Sequence, residues 1–260
     1  MAELHFANQR VVCHTDIVLV LKSQVGEQAK AASLGSCVLL SFCGRTWALS
    51  CSHVASRGDR YFIGPARLKK DLIPETAHSQ IMASELVSTC EELDLALFEL
   101  PLSTLSGTGK RPFLLSTSDW ITEERIHGEL STAAYICALH GSEAIIHQYG
   151  DGTVYLQAPL YSAIGPIVSC SSTEIVADFA ENELLFANAA QFPQLANFVP
   201  TGGERHLGGI SGSGLWVRQG ESMFLAGVVQ GRNPGANDQH LVRPASIWAV
   251  RQWLAGVVRE

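Results

Sequence analysis

Apolar residues in this chain come in short runs broken by glycine and polar clusters. Residues 11–22, VVCHTDIVLVLK, are rich in β-branched side chains and predict a strand. A polar stretch over 23–33 interrupts. Residues 36–42 and 46–50 then form two short apolar segments around Cys43-Gly44-Arg45, a hairpin signal, and the second is expected to run on as a strand end into Cys51-Ser52-His53-Val54-Ala55. Further strands are expected at 61–63, 80–86 and 93–100, the last closed by Pro101, and again at 127–139, 143–149, 153–157, 167–170, 222–230 and 240–243. A looser, helix-capable piece spans 180–192.

The C-terminal end has a different period. Ile247, Val250, Trp253, Leu254 and Val257 recur at helical spacing behind Pro244 and a candidate N-cap, Ser246. Many short strands with turn signals, closed by one amphipathic helix, predict an all-β domain. Residues 102–120 are rich in Ser, Thr and Gly and mark the internal boundary. The expected layout is a first half over 1–101, a connector over 102–126, a second half over 127–245 and a helix over 246–260, in one domain.

Composition narrows the function. Asp and Glu number 25 against 18 Lys and Arg, a net charge of −7 that argues against nucleic-acid binding. No apolar run reaches the ~18 residues of a membrane span, and the N-terminal residues lack the basic and apolar regions of a leader. The seven cysteines are scattered, with no CxxC pair. Reduced thiols in a cytoplasmic protein, with no metal and no cofactor, are expected.

The chemistry concentrates in Gly208-Gly209-Ile210-Ser211-Gly212-Ser213-Gly214, with four glycines and two serines in seven residues. Glycines let a backbone turn tightly enough to aim successive N–H groups into one small space. Ser211 would then be a nucleophile beside its own anion-stabilising donors, or the stretch is an ordinary turn between strands. A serine needs a base, and an imidazole base needs a carboxylate to orient it. His53, in a small-residue setting after an apolar run, is the candidate base. Asp94, in Glu92-Leu93-Asp94-Leu95-Ala96-Leu97-Phe98, leads directly into a core strand and needs a partner there. Taken singly, each also fits a structural role, as a satisfied histidine or a turn-capping aspartate.

In sequence order the three run His, Asp, Ser. With SCVLLSFCGRTWALSCSHVAS before the base, LDLALFEL around the acid, LGGISGSGLW around the nucleophile, LAGVVQGR and the terminal VRP plus helix, the chain resembles the chymotrypsin/trypsin-like serine proteases, especially their intracellular bacterial branch. The resemblance implies two packed antiparallel six-stranded β-barrels with a cleft between them. It implies Ser211 as nucleophile, His53 as base then acid, Asp94 as orienter, and the N–H groups of Gly209 and Ser211 as oxyanion hole. Val229, Gln230 and Gly231 would pair with a protein or peptide substrate as an added strand.

The chain departs from the pattern at Ile210, where secreted members carry an aspartate that pairs with a freed N-terminus. Control by a regulatory protein partner, a loop rearrangement or expression is expected instead. Gly214 replaces a common proline, and Cys51 is not at the family's usual cysteine position. Arg205, His206 and Arg232 either line the substrate cleft or face solvent. An α/β-hydrolase elbow fails, because the residue two after Ser211 is Ser213. The competing reading is a trypsin-fold peptide-binding or scaffold module without turnover.

Overall fold

The strand alternation explains the architecture before any site is considered. In the computed structural model, which describes residues 2–24, 27–64, 79–80, 82–101, 105, 109–115, 133–139, 145–148, 154–157, 160–179, 185–186, 209–232 and 241–258, six strands form the first barrel: β1 (Thr15–Gln24), β2 (Glu27–Phe42), β3 (Arg45–Ser50), β4 (Arg60–Gly64), β5 (Met82–Cys90) and β6 (Leu95–Leu100). They run β1-β4-β5-β6-β3-β2, and pairing of β1 with β2 closes the ring. Six more follow: β7 (Ala133–Leu139), β8 (Leu160–Cys170), β9 (Ile175–Asp178), β10 (Gly214–Gln219), β11 (Ser222–Arg232) and β12 (Leu241–Ser246). Their order β9-β12-β11-β10-β7-β8 closes through β8–β9. The two rings share one cyclic topology. They are the two antiparallel six-stranded barrels that the resemblance implies.

Barrel strands here bury both faces. On β1, Val18 and Val20 fill the first barrel, while Ile17, Leu19 and Leu21 join a cluster drawn from both barrels. On β7, Ala134, Ile136 and Ala138 fill the second barrel, and Tyr135, Cys137 and Leu139 turn to the same shared cluster. Period-two alternation therefore supplies two barrel interiors and the seam that joins them. The seam holds large aromatics from both halves, Trp47 and Trp216 among them.

Among the described residues, three α-helices accompany the barrels: α1 (Ala2–Val11), α2 (Ser52–Ala55) and α3 (Ile247–Val257). For α3 the expected N-cap is observed, Ser246 Oγ accepting from the Ala249 N–H at 3.3 Å, and Ile247, Val250 and Leu254 enter the seam. None of the helices among the described residues is long and apolar enough to cross a membrane.

Several local expectations are corrected. Within the polar stretch 23–33 the described residues 23–24 and 27–33 are strand, β1 and β2 pairing antiparallel out to Gln24↔Glu27, because main-chain pairing overrides side-chain polarity there. Residues 2–11 form a helix that the pattern does not announce. It is fastened by polar contacts to the second barrel, Tyr135 Oη donating to Glu3 and Ser162 Oγ donating to Asn8 Oδ1. Strand β8 begins at Leu160, well before Ile167. Of the helix-capable piece over 180–192, Leu185–Phe186 is a short strand on β8 and the rest lies outside the described residues. The same holds for the connector over 102–126 except at 105 and 109–115.

Candidate active site

His53 does not end a strand, as its sequence setting suggests. Cys51 is the last extended residue, and 52–55 close into the single turn α2, with the Ala55 N–H on Cys51 O at 3.2 Å. Val54 and Ala55 point into the first barrel, which leaves the imidazole facing outward. The turn is docked by its own start, the Ser52 N–H donating to Asp94 O at 3.1 Å.

Asp94 closes a turn over residues 91–94 in the left-handed region, φ 48°, one residue before β6. That conformation is tolerated by aspartate more than by most residues. It presents the carboxylate to α2, where three donors meet it. His53 Nδ1 lies 2.5 Å from Oδ2, and Oδ1 accepts from the Ser52 hydroxyl at 2.7 Å and from the His53 N–H at 2.9 Å. Burial pushes the carboxyl's pKa up. The ring, hydroxyl and backbone hydrogen bonds and the imidazole's charge outweigh that push and hold it below the usual value.

On the other side of the ring, His53 Nε2 is 3.2 Å from Ser211 Oγ. The loop carrying Ser211 enters from the second barrel: Gly209 and Gly212 both have φ 88°, and Ile210 is buried within that barrel's interior cluster. The Gly212 conformation is also a packing necessity, since a Cβ there would stand 2.1 Å from Ser36 O. Three side chains from distant parts of the sequence thus form one hydrogen-bonded relay across the seam. The arrangement can pass a proton from a hydroxyl to an imidazole whose tautomer is fixed by a carboxylate.

Behind the relay lies Cys51, fully buried, its thiol donating to Val229 O at 3.1 Å. Burial first, then the Asp94 charge, pushes its pKa well up, so it is a neutral thiol. Cys51, His53 and Asp94 offer potential ligand atoms within 4.8 Å of one another. As they stand, those atoms are committed to hydrogen bonds.

Of the residues assigned to the substrate, Val229 donates to Ser213 O at 2.8 Å and accepts from the Gly212 N–H at 2.7 Å. Both its main-chain groups are therefore engaged. The pairing of β11 with β12 skips from Val229 to Arg232, which sets Gln230 and Gly231 apart from that ladder. A Cβ on Gly231, φ 148°, would be 3.8 Å from Ser211 Oγ. The Gln230 side chain turns away to the acid's turn, Nε2 donating to Leu93 O at 2.7 Å. Arg232 is the last residue of β11; Arg205 and His206 lie outside the described residues. Ser52 and Ser36 are contributors that the sequence reading missed. For Ser52 the available signal was its place directly before His53.

No protein-family model matches the chain, and no curated protein matches it. Among solved structures it is similar to the HtrA-type protease AlgW with a tripeptide, at 16% identity and TM-score 0.52, covering 98% of this chain and 63% of that one. A variant of AlgW, also with a tripeptide, gives 15% identity and TM-score 0.55, covering 99% and 64%. The serine endoprotease from Yersinia pestis gives 13% identity and TM-score 0.52, covering 99% and 67%. The chain thus spans less than two thirds of the length of the AlgW chains. These likenesses are likenesses of fold.

Proposed function

We propose that this chain, which has the trypsin-like two-barrel fold, is a serine endopeptidase that works through an acyl-enzyme. One observation carries the reading: the unbroken relay from the Asp94 carboxylate through both nitrogens of His53 to Ser211 Oγ. Asp94 accepts from Nδ1–H, which leaves Nε2 as the free base. Nε2 takes the Ser211 proton as Oγ attacks the peptide carbonyl. The N–H groups of Gly209 and Ser211 would hold the resulting oxyanion. The imidazolium returns its proton to the leaving amine, and a water repeats the sequence to free the acid.

A substrate strand would pair with the main chain at Gln230 and Gly231, with Val229 behind them as the support. Arg232, and Arg205 and His206 before the nucleophile loop, belong to this cleft in the proposal. The partners are a protein or peptide substrate and a regulatory protein. Seven free cysteines, four of them buried without disulfides at Cys13, Cys37, Cys51 and Cys137, support a cytoplasmic setting.

The test is labelling with an active-site fluorophosphonate. Wild type is expected to be labelled at Ser211, with EDTA making no difference, and Ser211→Ala to be unlabelled while keeping its circular dichroism spectrum. A folded wild-type protein that the probe leaves untouched would overturn the enzyme and favour a peptide-binding module of the same fold.

A further inference from the structure

The nucleophile loop has an unusual need. Gly209 and Gly212 make it conformationally permissive, and Ile210, apolar and buried, offers no charge by which to anchor it. Yet an oxyanion hole acts only if its N–H groups are fixed in advance.

A fully buried serine from the first barrel meets that need. The Ser36 hydroxyl donates to Gly209 O at 2.7 Å, and its main-chain N–H donates to Ser211 O at 2.9 Å. Its oxygen in turn accepts from the Leu139 N–H at 2.8 Å, which directs the hydroxyl proton toward Gly209. Its carbonyl accepts from Ser50 Oγ at 2.7 Å. Ser36 on β2 therefore joins β3, β7 and the loop.

Each bond fixes a peptide plane. In a trans peptide the N–H points opposite to the C=O. The 209–210 plane is held by the Ser36 hydroxyl. The 210–211 plane is held by the Ser213 N–H on Ile210 O at 2.8 Å, and that plane carries the Ser211 N–H. The 211–212 plane is held by the Ser36 N–H at one end and by Val229 O at the other. Ser36 thus clamps the planes on both sides of the one that carries an oxyanion donor. The Gly209 N–H lies in the preceding plane, related to the fixed 209–210 plane only by the φ and ψ of Gly209 itself.

We propose that Ser36 is the positioning residue that presets the oxyanion hole, so that the hole is assembled only while the two barrels are seated on each other. The inference rests on the endopeptidase reading, and the experiment separates the two. Ser36→Ala removes the hydroxyl and keeps the main-chain bond. With a fluorophosphonate probe on purified protein, kinact is expected to fall about 10- to 100-fold, less than the ~10²–10³-fold typical of deleting a donor outright. KI is expected to stay within about twofold. A purely structural role would lower Tm yet leave kinact of the folded protein at the wild-type value, and that result overturns the proposal. Should Ser36→Ala not fold, Ser36→Cys keeps the volume and a weaker donor. Its kinact is expected below wild type, and a wild-type value from folded protein is again fatal. Failure of wild type itself to label would sink the endopeptidase reading instead.

Discussion

The Ser52 hydroxyl donates to Asp94 Oδ1 at 2.7 Å, leaving Oδ2 for the imidazole at 2.5 Å. The carboxylate is therefore gripped from the same short turn that carries His53. Removing the hydroxyl in Ser52→Ala leaves only the His53 N–H on Oδ1. Hydrogen bonds to charged groups contribute about 1.5–3 kcal/mol. With the Asp94 side chain 26% exposed, water replaces part of that. The expected result is a rate loss of about 5- to 30-fold in kinact with fluorophosphonate, an unchanged KI, and recovery in Ser52→Thr. Equal rates in Ser52→Ala and wild type would show that the N–H alone suffices.

Asp94→Asn tests the relay from the other end. An amide placed at Oδ2 presents N–H to the ring, so Nδ1 becomes the acceptor and Nε2 carries the proton. The base is then occupied at the moment Ser211 needs it. Loss of about 10⁴-fold in turnover is expected from an otherwise folded protein, read by labelling rate alongside circular dichroism. A variant within tenfold of wild type would remove Asp94 from the mechanism.

How much of this was readable beforehand differs by element. Barrel strands such as β1 and β7 announce themselves, because their alternate residues are apolar on both faces and the pattern needs no tertiary knowledge. Helix α3 was equally plain, from its periodicity and its Ser246 cap. Helix α1 was not: its apolar contribution to the seam is chiefly Ala7 and Val11, and what fastens it are long-range polar pairs such as Ser162 with Asn8, 2.6 Å apart. Local pattern cannot contain such partners. The site divides in the same way. Ser211, His53 and Asp94 were suggested by residue type, order and setting. Ser36 lies 173 positions before the carbonyl it holds, and nothing in its neighbours hints at that bond.

Gly212→Ala is expected to be among the most damaging single changes. Its Cβ would lie 2.1 Å from Ser36 O and 2.4 Å from Ser50 Oγ, at a backbone φ of 88°. Left-handed backbone costs an L-residue about 1–2 kcal/mol, and relief of the clash must displace the Ser36 carbonyl. A total of at least about 3 kcal/mol corresponds to a Tm lower by about 6–12 °C for a domain of this size. Gly220→Ala is the control: φ is 56°, but nothing lies within 4 Å of its Cβ, so it should carry only the backbone penalty and keep wild-type labelling. Similar losses in both would show that the contact with Ser36 and Ser50 is unimportant.

A final expectation concerns pH and lies away from the relay. His14 stacks on Trp216 with ring centroids 5.5 Å apart, and meets Phe113 edge-on. Its Nδ1 is 2.8 Å from Arg111 O, so the ring donates to that carbonyl and is held as one neutral tautomer. Burial, assisted by the Arg111 and Lys110 charges and opposed by the Arg111 carbonyl, lowers its pKa to about 4. The unfolded chain, with a histidine near the ordinary 6.5, takes up a proton in a range where the folded protein does not. Stability must then fall as pH drops from about 6.5 to about 4, by at most about 3 kcal/mol from this residue. His14→Phe keeps an aromatic in the stack and removes both the titration and the bond to Arg111. It should melt lower than wild type at pH 7.5, by about 1 kcal/mol for the lost bond. Toward pH 4.5 the gap should close or reverse, because only wild type carries the histidine's penalty. Carboxylates, Asp94 among them, destabilise both proteins alike in acid, so the difference between the two Tm curves isolates the ring. Parallel curves across that range would mean that His14 is protonated in the folded protein at an ordinary pH.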